Sequence, residues 1–147
     1  MGTMIEGVQL HPLKQFHIPK GDLWHAFKVT DAGFSGFGEA YFTQIRAHEV
    51  KGWKRHNCYV LNLVVILGSV KFVLYDDREN STTKGKFQEI ILSPNGNYQR
   101  LTVPPGLWMA FASADDQNGM LMDLIPEVHN PEESDRLDLE EIPYNFF

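Results

Sequence analysis

The chain has 147 residues, a formal net charge of −6 at pH 7 and 12% aromatic residues. This length fits one domain over residues 1–147, and an acidic balance without a long basic stripe argues against nucleic-acid binding. The lone cysteine, Cys58, excludes an intrachain disulfide and favours a reducing compartment, the cytoplasm. The longest apolar run, which starts at Leu63, is too short to cross a bilayer, so we expect no membrane partner.

The first part of the chain predicts short strands separated by turns. Before residue 38 the sequence predicts a short strand that ends at the turn PKGD. The β-compatible segment 23–30 and a glycine-rich loop follow. A strand follows in EAYFTQIRA, with Ala40, Phe42 and Ile45 close to an alternating apolar face. The polar stretch HEVKGWKRH is interpreted as the passage into the next strand.

The centre of the chain carries the strongest pattern. The segment CYVLNLVVILGSVKFVLYDDR has two apolar runs broken by Gly68-Ser69, which predicts a strand, a tight turn and a strand. Strands this apolar are buried on both faces or form one wall of a barrel. Further strands are predicted in KFQEIILS, YQRLTV, LWMAFAS and MLMDLIPEV, with turns between them. Only the acidic tail predicts a helix, a short one around Glu132–Leu139.

Three stretches together resemble the small cupins of the dTDP-4-dehydrorhamnose 3,5-epimerase family. They are KGWKRHN, GSVKFVLYDDRENSTTKGKFQEIILS and VPPGLWMAFAS, and the resemblance extends from Gly38 to Pro131. It implies an all-β cupin with its core at about 38–131, an antiparallel β-barrel or jelly roll with a short C-terminal helix. Because such sheets often pair across subunits, we expect a homodimer whose N-terminal strand could cross to the partner.

The resemblance also implies a reaction, proton transfer beside the 4-keto group of a nucleoside-diphosphate 4-keto-6-deoxy sugar in surface-polysaccharide biosynthesis. In the family a His acts as base with the support of an acid, a Tyr protonates the opposite face, and no metal or cofactor is used. In this chain the position of the base holds Lys54, that of the Tyr holds Asp123, and the His of the Pro-x-Gly turn is replaced by Met109.

We therefore predict that Lys54, His56 and Asp123 share the proton transfers. Lys54 and His56 share one face of a regular strand. Asp123 lies in an apolar run, where a buried carboxylate needs a partner or a raised pKa, and we expect it to pair with Lys54. The structural alternatives are a solvent-exposed lysine, a hydrogen-bonded histidine and an ion pair without catalytic function.

Five residues are predicted to bind the substrate: Gln44, Lys51, Arg78, Trp108 and Met109. Lys51 takes the position of a family arginine and Arg78 matches the family's Asp-x-Arg, so both would hold the diphosphate. A bulge would be needed for Lys51 to reach the same face as Lys54. Gln44 matches a family Gln near the nucleotide, and the Trp-Met pair would form a drier pocket wall that could stack on a sugar or a base.

Two other functions stay open. The replaced reactive positions favour, as the alternative, a catalytically degenerate cupin that binds a sugar nucleotide or regulates a partner enzyme. A metal-dependent cupin is a third hypothesis, although a cupin metal site takes several His and a Glu. At those positions this chain offers only His56 beside Lys54 and Met109, so we expect no metal and no other cofactor.

Overall fold

The computed structural model describes residues 4–147, and strands are its main secondary structure. The strands are β1 (Gln9–Pro12), β2 (Gln15–Phe16), β3 (Leu23–Trp24), β4 (Glu39–Ile45), β5 (Val50–His56), β6 (Leu61–Leu67), β7 (Val70–Asp76), β8 (Phe87–Leu92), β9 (Gln99–Val103), β10 (Leu107–Ser113), β11 (Gly119–Ile125) and β12 (Ser134–Arg136). The strands predicted on either side of Gly68-Ser69 and in LWMAFAS are confirmed.

Two five-stranded antiparallel sheets face each other. The first sheet has the order β1-β9-β6-β11-β4 and the second the order β12-β5-β10-β7-β8, while β2 and β3 form a separate hairpin. The predicted all-β cupin fold is confirmed as a jelly roll. Within residues 4–147 the sheets are not closed into a barrel, so the barrel alternative is corrected, and β4 lies at the edge of the first sheet.

The main core lies between the two sheets and accounts for the apolar centre of the sequence. Leu63 and Leu121 of the first sheet pack in it with Phe72 and Leu74 of the second. On the other face of β7, Val73 is buried in a second cluster beneath the C-terminal residues. Both faces of β7 are therefore covered, as the unbroken apolar run predicts.

The predicted C-terminal helix is wrong. Residues 131–133 and 139–141 form single 3-10 turns, and β12 lies between them, paired with β5. The last residues cover the outer face of the second sheet, where Ile142 and Phe146 are buried beside Trp53. Sheet pairing satisfies the backbone of this segment, whereas an isolated helix of this length is unstable. Within residues 4–147 no helix is long and apolar enough to cross a membrane.

Two predictions about the strands near the site are corrected. The polar stretch before residue 57 is itself a strand, β5, which pairs with strands on both sides. In β4 the inward face carries Tyr41, Thr43 and Ile45, whereas Phe42 is 62% exposed. The alternation along a strand defines two faces, but tertiary packing decides which of them is buried.

The N-terminal strand pairs within its own chain in this structure. β1 lies antiparallel to β9 at the edge of the first sheet. Of the β-compatible segment 23–30, only β3 is a strand. The following loop covers the outer face of the first sheet, where the buried Arg100 donates to the carbonyl of Ala32 and Asn62 donates to the carbonyl of Gly33.

Candidate active site

A cavity of about 470 Å³ lies between the two sheets. Its lining residues are Tyr41, Thr43, Lys51, Gly52, Lys54, His56, Leu61, Leu63, Met109, Phe111, Leu121, Asp123 and Arg136. The volume suits a small-molecule ligand, and the lining combines polar and charged groups with apolar side chains. The structure thus brings the three residues predicted to transfer protons into one space.

A β-bulge brings two lysines of β5 to this cavity. Met109 of β10 lies opposite Lys54 and Phe111 lies opposite Lys51, so three steps along β5 match two along β10. The extra residue places Lys51 on the same side as Lys54, while Trp53 between them is buried on the outer face of the sheet. The bulge that the sequence required is therefore present.

His56 is held by a residue that the sequence analysis missed. Its Nδ1 lies 2.6 Å from Oε1 of Glu133, and both side chains are buried. Oε2 of Glu133 accepts from the backbone N–H groups of Cys58 and Tyr59, at 2.7 and 3.0 Å. Burial alone would raise the pKa of Glu133, but these hydrogen bonds outweigh it and lower the pKa, so the carboxylate is ionised at neutral pH.

The ionised Glu133 determines the tautomer of His56. Because a carboxylate can only accept, Nδ1 carries the proton and Nε2 keeps its lone pair. Burial lowers the pKa of His56 by more than the bond to Glu133 raises it, so the ring is neutral at pH 7. The ring of Tyr59 stacks on the imidazole with a centroid distance of 5.8 Å. His56 is thus a fixed, neutral base at the cavity wall.

Asp123 lies on the facing sheet and is paired with Tyr41. The Tyr41 hydroxyl donates to Oδ2 at 3.1 Å, while the buried Oδ1 has no hydrogen-bond partner among residues 4–147. The expected ion pair with Lys54 is not formed within that part of the chain. Burial raises the pKa of Asp123 to about 6, against the opposite effects of Tyr41 and Lys54. Such a carboxyl group gains and loses protons near neutral pH.

We expect the Asp123→Asn variant to be more stable than the parent at about pH 7.5 and to lack part of the parent's pH dependence. The folded pKa is about 6, whereas an unfolded Asp has a pKa of about 3.9. The folded state therefore binds more protons between these values, and the unfolding free energy falls as pH rises through this window. The shift corresponds to about 3 kcal/mol.

Urea unfolding between about pH 4 and pH 7.5 measures this difference. The control is Asp116→Asn, whose side chain is 93% exposed and which should keep the parent's pH dependence. Parallel stability curves for Asp123→Asn and the parent across the whole range would show that burial does not shift this carboxyl group.

Three cations line the same cavity, and none is neutralised by an ion pair in the described chain: Lys51, Lys54 and Arg136. In the strand register Lys54 lies opposite both Met109 and Arg136. Burial, followed by the charge of Arg136, lowers the pKa of Lys54, and the carboxylates of Asp123 and Glu133 offset this only in part. This amine gives up its proton more readily than a surface lysine does.

Relatives with solved structures identify the family. The dTDP-4-dehydrorhamnose 3,5-epimerase from Bacillus anthracis str. Ames has a TM-score of 0.77 at 18% identity, covering 89% of this chain and 78% of its own. A dTDP sugar isomerase from Desulfovibrio desulfuricans G20 is 34% identical with a TM-score of 0.91, covering 96% of this chain and 91% of its own. The chain belongs to the family of this dTDP sugar isomerase, and it shares the fold of the dTDP-4-dehydrorhamnose 3,5-epimerases. The predicted resemblance is thereby confirmed.

A curated relative of this cupin comes from Haloferax volcanii and is named "Probable low-salt glycan biosynthesis epimerase Agl13". It is 26% identical over 107 residues, which make up 72% of this chain and 66% of the relative, just under two thirds of its length. The chain matches no protein-family model.

Two predicted substrate-binding residues of this cupin lie outside the cavity because of strand alternation. Gln44 follows the inward Thr43 and lines a neighbouring groove of about 580 Å³, which shares Thr43 and Lys51 with the cavity. Trp108 precedes the inward Met109 and is buried on the outer face of the second sheet, with the Arg55 guanidinium 4.6 Å from its ring centroid. Successive side chains on a strand point to opposite faces, so only Met109 of the Trp-Met pair lines the cavity.

Arg78, which is predicted to bind the diphosphate, also lies outside the residues that line the cavity. Its Nε donates to Oδ1 of Asp76 at 2.9 Å, and it donates to the carbonyl of Glu6 at 2.7 Å. The guanidinium is thus engaged by a buried carboxylate and by the N-terminal residues, away from the cavity. The Asp-x-Arg motif has a structural function in this cupin.

Sequence reasoning missed Tyr41, Glu133 and Arg136. The sequence analysis took Ala40 and Phe42 as the buried face of β4. Choosing the alternate residues of the strand instead would have placed Tyr41 on the inward face with Thr43. No local pattern separates Glu133 from its exposed neighbour Glu132, because its position depends on the pairing of β12 with β5. The same pairing brings Arg136 beside the cavity.

Proposed function

We propose that this chain is a sugar-nucleotide epimerase or isomerase that moves protons beside the ketone of a nucleoside-diphosphate 4-keto-6-deoxy sugar. The observation that carries the proposal is the placement of His56 and Asp123 on facing walls of one cavity, a neutral base and a carboxyl group with a raised pKa. General acid–base catalysis needs groups of this kind on either side of the reacting carbon. The names of the isomerase and the glycan-biosynthesis relative support this chemistry and a role in surface-polysaccharide biosynthesis.

The three residues predicted from the sequence have complementary parts in this proposal. Nε2 of His56 removes the proton from the carbon beside the ketone, and Glu133, 2.6 Å from Nδ1, stabilises the imidazolium that results. Asp123, backed by the Tyr41 hydroxyl, supplies a proton from the facing wall. Lys54, on the same strand as His56, activates the ketone.

The remaining polar residues suit the nucleoside diphosphate. Lys51 and Arg136 are exposed at the cavity and are proposed to bind the diphosphate, in place of Arg78. The groove that carries Gln44 shares Lys51 with the cavity, so we place the nucleoside there. Met109 supplies an apolar surface against the sugar.

Exchange of substrate protons with solvent tests the proposal. In D₂O, with dTDP-4-keto-6-deoxyglucose as probe, we expect NMR to show deuterium entering the positions beside the ketone. His56→Asn should slow this exchange by about 10²-fold or more, because the base is lost. The control is His17→Asn, since the His17 side chain is 83% exposed. An absence of incorporation across a panel of 4-keto-6-deoxy sugar nucleotides would contradict the proposal.

The second candidate is a degenerate cupin that binds a sugar nucleotide or regulates a partner enzyme. It is favoured by Lys54 and Met109, which the sequence predicts to stand where the family has histidines. Calorimetry that shows affinity for the nucleotide sugar, with no deuterium incorporation and no effect of Lys54→Ala on any product, would support this candidate against the enzyme.

We also propose that the chain functions as a homodimer in the cytoplasm, where its lone cysteine would stay reduced. The support comes from the β2–β3 hairpin, in which Phe16, Ile18 and Leu23 are 45%, 47% and 52% exposed. A two-stranded hairpin is marginal in water by itself, so a second copy covering it would stabilise it. Light scattering should show twice 16.8 kDa, with dissociation in Leu23→Lys but not in Val128→Lys, which is 71% exposed elsewhere. A parent chain of monomer mass at all concentrations would refute this assembly.

A further inference from the structure

We propose that Lys54 bonds covalently to the substrate ketone as an imine, which then draws electrons from the neighbouring C–H bond. The inference rests on the proposed function, because it requires a keto sugar in the cavity. It assigns to Lys54 a reaction different from that of the family's His base, whose position the sequence predicts Lys54 to occupy.

The geometry leaves the Lys54 amine free for such a reaction. In the strand register Met109 of β10 lies opposite Lys54 on one side, and Arg136 of β12 lies opposite it on the other. Cβ atoms of directly opposed residues in antiparallel strands lie about 4.5–5.5 Å apart. Among residues 4–147 no ion pair engages the Nζ of Lys54, although this residue lines the cavity with Asp123 and His56. A lysine serving only structure would be expected to pair with a carboxylate or point into solvent.

The surroundings also give Lys54 a larger share of the neutral amine, the nucleophilic form, than a surface lysine has. Lysine nucleophiles occur where an apolar pocket or a second cation disfavours the ammonium form. Lys54 meets both conditions, because it is half-buried and lies beside Arg136, and its pKa is lowered by burial first and Arg136 second. Lys51 on the same bulged strand is exposed, so the two cavity lysines have different environments.

Imine formation balances with the groups that line the cavity. The Nζ lone pair forms a bond to the carbonyl carbon, and the C=O π pair moves to the oxygen, which takes a proton from Asp123. The nitrogen returns a proton to Asp123, which donates again as the C–O bond breaks and the oxygen leaves as water. The product is a protonated C=N bond, and no oxidant or reductant is needed.

His56 then acts on the carbon beside the imine. Nε2 takes the proton, the C–H electron pair becomes a C=C bond, and the C=N pair returns to nitrogen. Protonation of the carbon followed by addition of water reverses these steps and releases the ketone and the free amine. Because Glu133 already holds His56 as the base, Lys54 is not needed as the base and can serve as the electron sink.

Reductive trapping tests this inference. The parent chain is incubated with dTDP-4-keto-6-deoxyglucose and cyanoborohydride, which reduces imines in preference to ketones. We expect a mass increase equal to the sugar nucleotide less one oxygen atom, located on the peptide that contains Lys54. Lys54→Arg keeps the charge but cannot form an imine, so it should lose the adduct and slow deuterium exchange by about 10²-fold or more. Lys20→Arg, at an exposed turn position, should retain both.

The outcomes separate this inference from the proposed function. Deuterium exchange by the parent without an adduct overturns the imine and leaves the epimerase or isomerase in place. Exchange by Lys54→Arg within tenfold of the parent, or an adduct spread equally over exposed lysines such as Lys20, also overturns it. The absence of both exchange and adduct rejects the two proposals together.

Discussion

Glu133→Gln is expected to slow proton exchange beside the substrate ketone by about 10²- to 10⁴-fold without unfolding the chain. One amide oxygen can still accept from the backbone N–H groups of Cys58 and Tyr59, which now bond to Oε2. The amide nitrogen then faces Nδ1 of His56 and donates to it. That reversal places the imidazole proton on Nε2, so the ring no longer presents a lone pair to the cavity.

The matched control is Glu132→Gln, one residue earlier in the same 3-10 turn and exposed. It removes the same charge but should change the exchange rate little. The substrate KM should stay near the parent value in both variants, because Glu133 is proposed to act through His56. Full exchange activity in a folded Glu133→Gln chain would mean that the tautomer of His56 does not matter, and the assignment of His56 as the base would fall with it.

Asp76→Asn is expected to lower the free energy of unfolding by about 3–5 kcal/mol, because it disrupts a buried charged network. Asp76 is fully buried and accepts hydrogen bonds from Arg78, from the Ser81 hydroxyl at 2.5 Å and from the Thr83 hydroxyl at 2.6 Å. The same Arg78 also donates to the carbonyl of Glu6. The substitution therefore loosens the end of β7, the loop that follows it and the N-terminal residues at once.

This loss should depend on pH in a defined direction. Burial would raise the pKa of Asp76, but the hydrogen bonds from Arg78, Ser81 and Thr83 outweigh it and hold the pKa well below its usual range. The stabilisation is thus complete above the unfolded pKa of about 3.9 and is lost progressively as pH falls from there through the much lower folded pKa. Denaturant unfolding at about pH 7 and pH 3 should show a large difference between parent and variant at the higher pH and a smaller one at the lower.

Asp77→Asn provides the control for this experiment. Asp77 is the exposed neighbour of Asp76, and its substitution should change stability by no more than about 0.5 kcal/mol. If the Asp76 and Asp77 variants unfolded at the same denaturant concentration, the network would have no net stabilising effect. The motif would then need another explanation than the structural one given for Arg78.

The candidate site depends on residues from both sheets, which explains why its parts differ in how well the sequence predicts them. Lys54 and His56 lie two residues apart on one strand, so their common face follows from alternation alone. Asp123 is conspicuous as a carboxylate in an apolar run. Glu133 lies 77 residues from His56 in the chain, and nothing local distinguishes it from the other acidic residues of the tail.

The sequence by itself determined the strand character of the apolar runs, the turn at Gly68-Ser69, the need for a bulge between Lys51 and Lys54, and the family. These properties depend on periodicity and turn chemistry, which act over a few residues. Only the tertiary structure decided the inward phase of β4, the outward position of Trp108 and the replacement of the predicted helix by β12. Each of these depends on which distant segment supplies the buried surface or the strand partner, and such contacts are not encoded in local spacing.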